Sequence, residues 1–231
     1  MYIGVEFQTV PDAMYHEPGM SRIPRDAAIS IRSITPHACR RIVEAAFEYA
    51  TYRDLTRVTA IHKANVMRAT CGLFLEVARS VAERYPQIAF DEANVDAIGM
   101  WLLKNPQTFQ VLVTTNLFGD VISSLCAQLV GGLGFACSGN IGSSYAVFEP
   151  SHGSAPECAG MNKVNPIATI LSAKMMLEWL GEGERARRIE HAVAAVLAAG
   201  KVRTYDLGGS ATTTDMARAI CGAASSRRVA A

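Results

Sequence analysis

The chain has 231 residues, of which 50% are hydrophobic and 19% are charged, so it can bury the core of one large domain or two small ones. Its 22 basic and 21 acidic residues give a net charge of +1, and the basic pairs are isolated along the chain. This balance argues against a nucleic-acid-binding surface, which normally shows a clustered basic excess.

Strands and helices alternate along the sequence. Alternating or continuous β-branched apolar residues predict strands at 3–9, 28–33, 57–62, 109–115 and 145–148. Helical periodicity predicts helices after residue 35 and at 73–85, 94–104, 165–181, 184–199 and 213–224. The proline-containing segment 10–27 is predicted to be an irregular arm or loop. Alternating strands and helices indicate the α/β class.

The first of these helices has a clear start signal. Thr35 is a good N-cap residue, and Pro36 stands at the first helical position, where its missing N–H costs nothing. The following apolar residues recur at helical spacing and are predicted to line one buried face: Ile42, Val43, Ala46, Phe47 and Ala50.

The start of the chain and its cysteines bear on location. The opening sequence MYIGVEFQTV lacks the charged start and apolar run of a signal peptide, and no apolar stretch has the length of a membrane span. The six cysteines form no CxxC motif and no dense disulfide framework, so we expect small hydrophobic residues in a reducing compartment. A cytoplasmic protein without a membrane segment is therefore predicted.

Two polar motifs follow predicted buried strands. Lys63 comes directly after 57–62, at the strand end where α/β proteins place ligands, although a lysine on an exposed turn would look the same. Asp120, in the segment NLFGD, suits a metal-ligating carboxylate but also an ordinary helix cap. Spacing alone decides neither case.

Two glycine-containing segments lie further along. Residues 129–142 lack a clean GxGxxG, so their glycines indicate tight turns rather than a dinucleotide fingerprint. Residues 148–166 mix Gly, Pro, Ser, His and Asn in a long loop that leads into a helix N-terminus. Such a loop can present backbone N–H groups to an anion, and a surface loop without a ligand is the alternative.

In this order, the segments HKANVM, NLFGD, GGLG…NIG, FEPSHGSAP…AG…NP and RTYDLGG resemble the isocitrate/isopropylmalate dehydrogenase family. The resemblance covers residues 1–222 and corresponds to the C-terminal two-thirds of a family member. It implies an isopropylmalate-dehydrogenase-like two-domain α/β fold in which the N-terminal part of the large domain is missing. In the family, that absent third carries the arginines that grip the substrate.

The resemblance implies catalytic roles. Family members oxidise a 2-hydroxy acid with NAD or NADP and then lose a β-carboxylate, with the help of Mg²⁺ or Mn²⁺. Lys63 matches the lysine of the proton relay at the C2 hydroxyl, and Tyr2 matches the tyrosine that protonates the enolate. Asn65 matches a substrate and nicotinamide contact. Asp96 and Asp120 match two metal-binding aspartates, and the first of these reaches across a dimer interface in the family.

The resemblance also implies a cofactor site. His152, Gly153, Ser154 and Ala155 match the loop around the adenosine half, and Asn165 matches an adenine contact. Glu157 stands at the position that contacts the adenosine ribose. A carboxylate there accepts hydrogen bonds from the ribose hydroxyls and repels a 2′-phosphate. NADP-using relatives tend to carry Lys and Tyr at positions 157 and 158, so NAD is the predicted cofactor.

One residue departs from the family pattern, because Ser124 stands where a third aspartate is common. The loss of a charge there should weaken metal binding. Two hypotheses therefore compete: an NAD-dependent, Mg²⁺- or Mn²⁺-assisted decarboxylating dehydrogenase for isocitrate, 3-isopropylmalate or a related diacid, and a catalytically inactive dimerising or regulatory paralogue. Three explanations of the missing third stay open. The sequence begins at an internal start or comes from a truncated gene model, the protein is a natural remnant, or a separate chain supplies the missing part.

A domain organisation follows from the resemblance. Residues 1–118 are predicted to form a smaller, dimer-forming domain, with an arm at 3–33 that pairs with the arm of a partner. Residues 119–231 are predicted to form the C-terminal half of the larger cofactor domain. The apolar helices at 67–85 and 94–104 fit the interface of a homodimer with a shared active site, and burial within one chain is their alternative.

Overall fold

The computed structural model describes residues 4–9, 11–17, 22–24 and 26–226. The chain divides into two compact units, Met1–Ile122 and Ser123–Ala231. The predicted division into a dimer-forming domain, 1–118, and the C-terminal half of a cofactor domain, 119–231, stays a prediction. Helices and parallel strands confirm the α/β class.

Unit one is built on a three-stranded parallel sheet. Its strands are β3 (Arg57–His62), β4 (Ala89–Asn94) and β5 (Val111–Thr114), with β3 in the centre. The connections are made by α2 (Thr70–Ala82) and α3 (Val95–Lys104). In the predicted arm, β1 (Gly4–Phe7) pairs antiparallel with β2 (Ile29–Arg32) of the same chain. Pairing with a second chain stays a prediction.

Helix α1 (Pro36–Tyr52) begins as its sequence indicates, because the Thr35 side chain accepts a hydrogen bond from the Ala38 N–H. Phe47 is fully buried, and its ring stacks on Tyr85 with centroids 4.9 Å apart. Ile42 was predicted to lie on the buried face of this helix, but it is 49% exposed. It lies at the edge of the apolar stripe, one position from buried Val43, and the helix rotates it outward.

Burial in the sheet follows its topology. The central strand β3 is buried from Val58 to His62, as expected for a strand with neighbours on both sides. Strand β5, which was predicted as a buried strand, is buried only in part, because Val111 and Val113 are buried whereas Leu112 and Thr114 are half-buried.

The two helices predicted at the dimer interface differ. The apolar face of α2 is buried within unit one, through Phe74, Ala78 and Val81 among others. Helix α3 buries Ile98 and Leu102 but leaves an exposed apolar surface, formed by Met100, Trp101 and Leu103. Of these two helices, α3 is therefore the one that keeps an exposed apolar surface.

Unit two combines a hairpin with three helices. Strands β6 (Cys137–Ile141) and β7 (Ala146–Pro150) pair antiparallel, and α5 (Ile167–Trp179), α6 (Gly183–Ala199) and α7 (Thr213–Ser225) follow. The core includes Ile167, Val193 and Met216. Among the described residues, no helix has both the length and the apolarity needed to cross a membrane.

A buried lysine joins two helices of unit two. Lys174 on α5 lies 2.8 Å from Glu178 and 3.1 Å from Glu190 on α6. Burial alone would lower the pKa of Lys174, but hydrogen bonds to the two carboxylates outweigh it and raise the pKa. The lysine therefore stays charged and ties α6 to α5.

Candidate active site

Lys63 and Asp96 form an ion pair at the C-terminal edge of the parallel sheet. Lys63 directly follows β3, and its Nζ donates to Asp96 Oδ1 at 2.7 Å. The two residues meet because β3 and β4 run parallel with His62 opposite Asn94. The segments that follow the two strands therefore leave the sheet side by side. This is the edge at which open α/β sheets bind ligands.

The ion pair favours the ionised form of Asp96. The hydrogen bond from Lys63, followed by the contribution of the backbone at the start of α3, holds the pKa of Asp96 below its ordinary value of 3.8. The carboxylate side chain is 66% exposed, so water screens the pair and it adds little to stability. The ion pair matters for the position of the Lys63 amine, which it holds beside Asp96.

Asp120 lies on the segment that follows the other neighbour of β3. Helix α4 (Asn116–Leu129) begins just after β5 and carries Asp120 in its second turn, exposed. Ser124, one turn further on, is also exposed. The three parallel strands thus lead into Lys63, Asp96 and Asp120, while Asn65 is exposed in the turn after Lys63.

The donor chemistry suits a weakly held hard cation. Mg²⁺ is usually bound by one or two carboxylates together with substrate oxygens and waters, rather than by a full protein cage. Asp96 and Asp120 offer such carboxylates. Within the described residues, no group of three or more His, Cys, Asp or Glu side chains could hold a metal ion. These residues thus fit a substrate-assisted site better than a structural metal centre.

Unit one also contains a cavity of about 360 Å³ beside the end of β5. Arg32, Thr35, Phe74 and Asn116 are among its lining residues, whereas Lys63 and Asp96 are not. Tyr2, the predicted proton donor to the enolate, lies outside the described residues. The cavity and the Lys63–Asp96 pair are therefore separate features of unit one.

The predicted adenosine loop lies in unit two and has a constrained backbone. His152 Nδ1 is 2.9 Å from the Gly153 carbonyl oxygen, and Gly153 and Ser154 are exposed. Ala155 adopts the left-handed conformation, with φ 43° and ψ 62°, and leads into a short 3₁₀ turn, Pro156–Cys158. Glu157 in that turn is exposed, so its carboxylate is accessible to a ligand.

Asn165 is buried, and its side chain is already engaged. Its Oδ1 accepts from the Ile167 N–H at 3.0 Å, and its Nδ2 donates to Asp206 Oδ2 at 2.9 Å. The side chain thus holds the start of α5 instead of reaching freely for a base. A predicted adenine contact would fall to the main chain of Asn165 or to its remaining amide proton.

Sequence reasoning missed the partner of Asn165. Asp206 belongs to the RTYDLGG segment but received no role, because it lies 41 residues away. Gly134 closes the same cluster, since a Cβ there would come within 2.8 Å of Asp206 Oδ2 and 2.9 Å of Asn165 Nδ2. The glycine in GGLG is the sequence signal for this close approach.

Comparisons with known proteins identify the family of the chain. The model of the isocitrate/isopropylmalate dehydrogenase family matches residues 2–220. Isocitrate dehydrogenase (NAD) catalytic subunit 5 of Arabidopsis thaliana, named as mitochondrial, is 50% identical over 201 residues, which are 87% of this chain and 54% of that protein. The 3-isopropylmalate dehydrogenase of Archaeoglobus fulgidus is 48% identical over 195 residues, covering 84% of this chain and 60% of that one.

A solved structure gives the same result. The crystal structure of isocitrate dehydrogenase from Methylococcus capsulatus superposes with a TM-score of 0.86 at 43% identity, over 95% of this chain and 62% of that one. The chain thus spans little more than half the length of the relatives that it matches. The match to the family model and the identity to these relatives lead to one conclusion: the chain belongs to the isocitrate/isopropylmalate dehydrogenase family.

Proposed function

We propose that the chain takes part in NAD-dependent oxidative decarboxylation of a malate-type 2-hydroxy diacid of the isocitrate or 3-isopropylmalate class. The observation that carries this proposal is the Lys63–Asp96 pair at the ligand-binding edge of the sheet. The names of the relatives, NAD-dependent isocitrate dehydrogenases and 3-isopropylmalate dehydrogenases, support the reaction class.

In the proposed reaction, NAD would accept the hydride from C2 of the substrate, and the Lys63 amine would belong to the relay that carries away the proton of the C2 hydroxyl. The C–C bond to the β-carboxylate then breaks, carbon dioxide leaves, and its electron pair forms an enolate. Tyr2 would supply the proton that the enolate carbon takes up, and Asn65 would contact substrate and nicotinamide. Asp96 and Asp120 would hold Mg²⁺ or Mn²⁺, which when bound polarises the C2 oxygen.

Recognition of the cofactor would lie in unit two. The loop at His152, Gly153, Ser154 and Ala155 would surround the adenosine half, with Asn165 beside the adenine. The exposed Glu157 carboxylate would accept hydrogen bonds from the ribose hydroxyls and repel a 2′-phosphate. NAD is therefore the proposed cofactor.

The second candidate function is a catalytically inactive dimerising or regulatory subunit. Ser124 favours it, since it is exposed on α4 one turn after Asp120 and offers a neutral hydroxyl where a third carboxylate would strengthen metal binding.

A binding titration tests the proposed function. NAD is titrated into the purified chain with and without Mg²⁺, and with isocitrate or 3-isopropylmalate. We expect NAD to bind more tightly than NADP, and one of the two diacids together with Mg²⁺ to strengthen NAD binding further. Tighter binding of NADP would contradict the assignment of Glu157. NAD binding that neither diacid changes would favour the regulatory alternative.

A homodimer is the proposed assembly, with the α3 surface as its contact. Met100 and Leu103 are each about two-thirds exposed, an unusual exposure for large apolar side chains on one helix. Leu103→Glu is expected to shift the chain from dimer to monomer in sedimentation velocity, because a buried unpaired carboxylate opposes association. The matched control is Tyr52→Glu, which places the same charge on an exposed apolar residue of α1, outside the α3 surface. A dimer that survives Leu103→Glu unchanged would remove α3 from the interface.

A further inference from the structure

The turn that carries Lys63 is held by its preceding residue. His62 ends β3, and its ring is buried. Its Nδ1 accepts a hydrogen bond from the Ala64 N–H at 3.0 Å, across Lys63. On the other side, the Lys63 carbonyl oxygen accepts from Val66 and Met67, at 3.1 and 2.8 Å. The peptide unit that joins Lys63 to Ala64 is therefore held at both of its polar groups, the N–H and the carbonyl oxygen.

The hydrogen bond to Ala64 sets the protonation of the ring. A backbone N–H can only donate, so Nδ1 must be unprotonated, and the single proton of the neutral ring lies on Nε2. A doubly protonated imidazole would turn a donor toward a donor and lose the contact. The turn shown here is thus compatible only with a neutral His62.

The surroundings keep the ring neutral. Burial is the main cause that holds the pKa of His62 below 6.5, with Glu92 on β4 raising it and Arg79 on α2 lowering it. Glu92 and Arg79 are themselves joined in a two-pronged ion pair, with one contact of 2.8 Å, so their charges largely offset each other at the ring.

We propose that His62 is a positioning residue, whose Nδ1 holds the 62–64 turn and thereby directs the Lys63 amine at Asp96. The catalytic meaning of that amine rests on the proposed function, whereas the positioning itself does not. The strand register brings Lys63 and Asp96 together. His62 pairs with Asn94, Lys63 directly follows His62, and Asp96 comes two residues after Asn94.

Between pH 8 and 5, His62 can be distinguished from the neighbouring carboxylates by its titration. Asp96 and Glu92 both have pKa values below their ordinary ones, so both stay ionised between pH 8 and 5. A change of the Lys63–Asp96 geometry in that range therefore cannot come from either carboxylate. Because the folded-state pKa of His62 is depressed, the hydrogen bond to Ala64 is complete above pH 6.5 and is lost as the pH falls through the lowered value.

Two variants separate the acceptor from the ring. His62→Asn keeps an acceptor oxygen close to the position of Nδ1 but does not titrate. His62→Leu fills the same buried space and has no acceptor. Backbone amide exchange at Ala64 and the ¹³Cε resonance of Lys63 are followed by NMR from pH 8 to 5 in the 231-residue chain and both variants.

In the wild type, Ala64 exchange corrected for intrinsic rate is expected to speed up about tenfold as the pH falls, with a midpoint below 6.5. The Lys63 resonance should move with the same midpoint. His62→Asn should remain protected throughout, and His62→Leu should be fast at every pH. Equal protection of Ala64 in His62→Leu and wild type, or a Lys63 resonance that ignores the His62 midpoint, would overturn the proposal.

Turnover gives a separate readout. If the chain is active, His62→Leu should lower kcat while leaving the affinity for NAD unchanged, and His62→Asn should retain kcat and lose the corresponding limb of the pH profile. Absence of any turnover in the wild type would contradict the proposed function alone. The NMR results would still decide the role of His62.

Discussion

Replacing Lys63 by methionine is expected to raise the pKa of Asp96 toward 3.8 and to lower turnover about 10²- to 10⁴-fold, the usual contribution of a positioned proton-transfer group. Methionine keeps the unbranched stem and removes the amine, so Asp96 loses its closest cation at 2.7 Å. The carboxyl ¹³C shift of Asp96 followed against pH measures the first effect, and steady-state kinetics with NAD and a diacid measures the second.

The sign of the pH effect follows from the pair. Because the folded-state pKa of Asp96 is depressed, the contribution of the pair is present above pH 3.8 and is lost as the pH falls through the lowered value. Lys104→Met, at the end of the same helix α3, removes a comparable charge without touching Asp96. An Asp96 pKa that is equally low in Lys63→Met and wild type would mean that α3 alone sets it.

Replacing Phe47 by alanine is expected to lower the free energy of unfolding of unit one by about 3–5 kcal/mol. The ring is completely buried, stacks on Tyr85 at 4.9 Å and lies 6.1 Å from Phe90, so its loss leaves a cavity between α1 and the sheet. Urea unfolding measures the change, with a probe in unit one because the two units need not unfold together.

Tyr52→Ala is the matched control for Phe47→Ala. Tyr52 ends the same helix and is 70% exposed, so its removal should change stability by no more than about 0.5 kcal/mol. A cost below about 1 kcal/mol for Phe47→Ala would show that the surrounding aromatic rings collapse into the space, which the close stacking argues against.

Much of the fold could be predicted because its signals are local. The Thr35 cap, the proline after it and the apolar spacing give α1, and the continuous apolar run gives β3. Strand β4 was missed because AFDEAN is polar, and its charges make sense only once Asp91 meets Arg57 and Glu92 meets Arg79. Helix α4 and strand β6 were missed because their glycines suggested turns.

The candidate site was predictable as a set of residues but not as an arrangement. The resemblance named Lys63 and Asp96 separately, and their contact depends on the parallel pairing of β3 with the missed β4. The engagement of Asn165 by Asp206 likewise depends on a contact between distant segments. Neither contact has a local signal, because each is created by the packing of the chain.

The left-handed backbone of Ala155 affects the rigidity of its loop and the stability of the chain in different ways. A left-handed alanine costs about 1–2 kcal/mol, and a glycine there would relieve that strain. The glycine would also give the unfolded chain more freedom, which offsets about 0.4–1 kcal/mol of the gain. The net gain in stability is therefore smaller than the strain that is relieved, and in the proposed cofactor site the more mobile loop would lose more conformational entropy on binding a nucleotide. If the loop binds NAD as proposed, the methyl group of Ala155 would influence affinity through the free state of the loop, where no contact with a ligand exists.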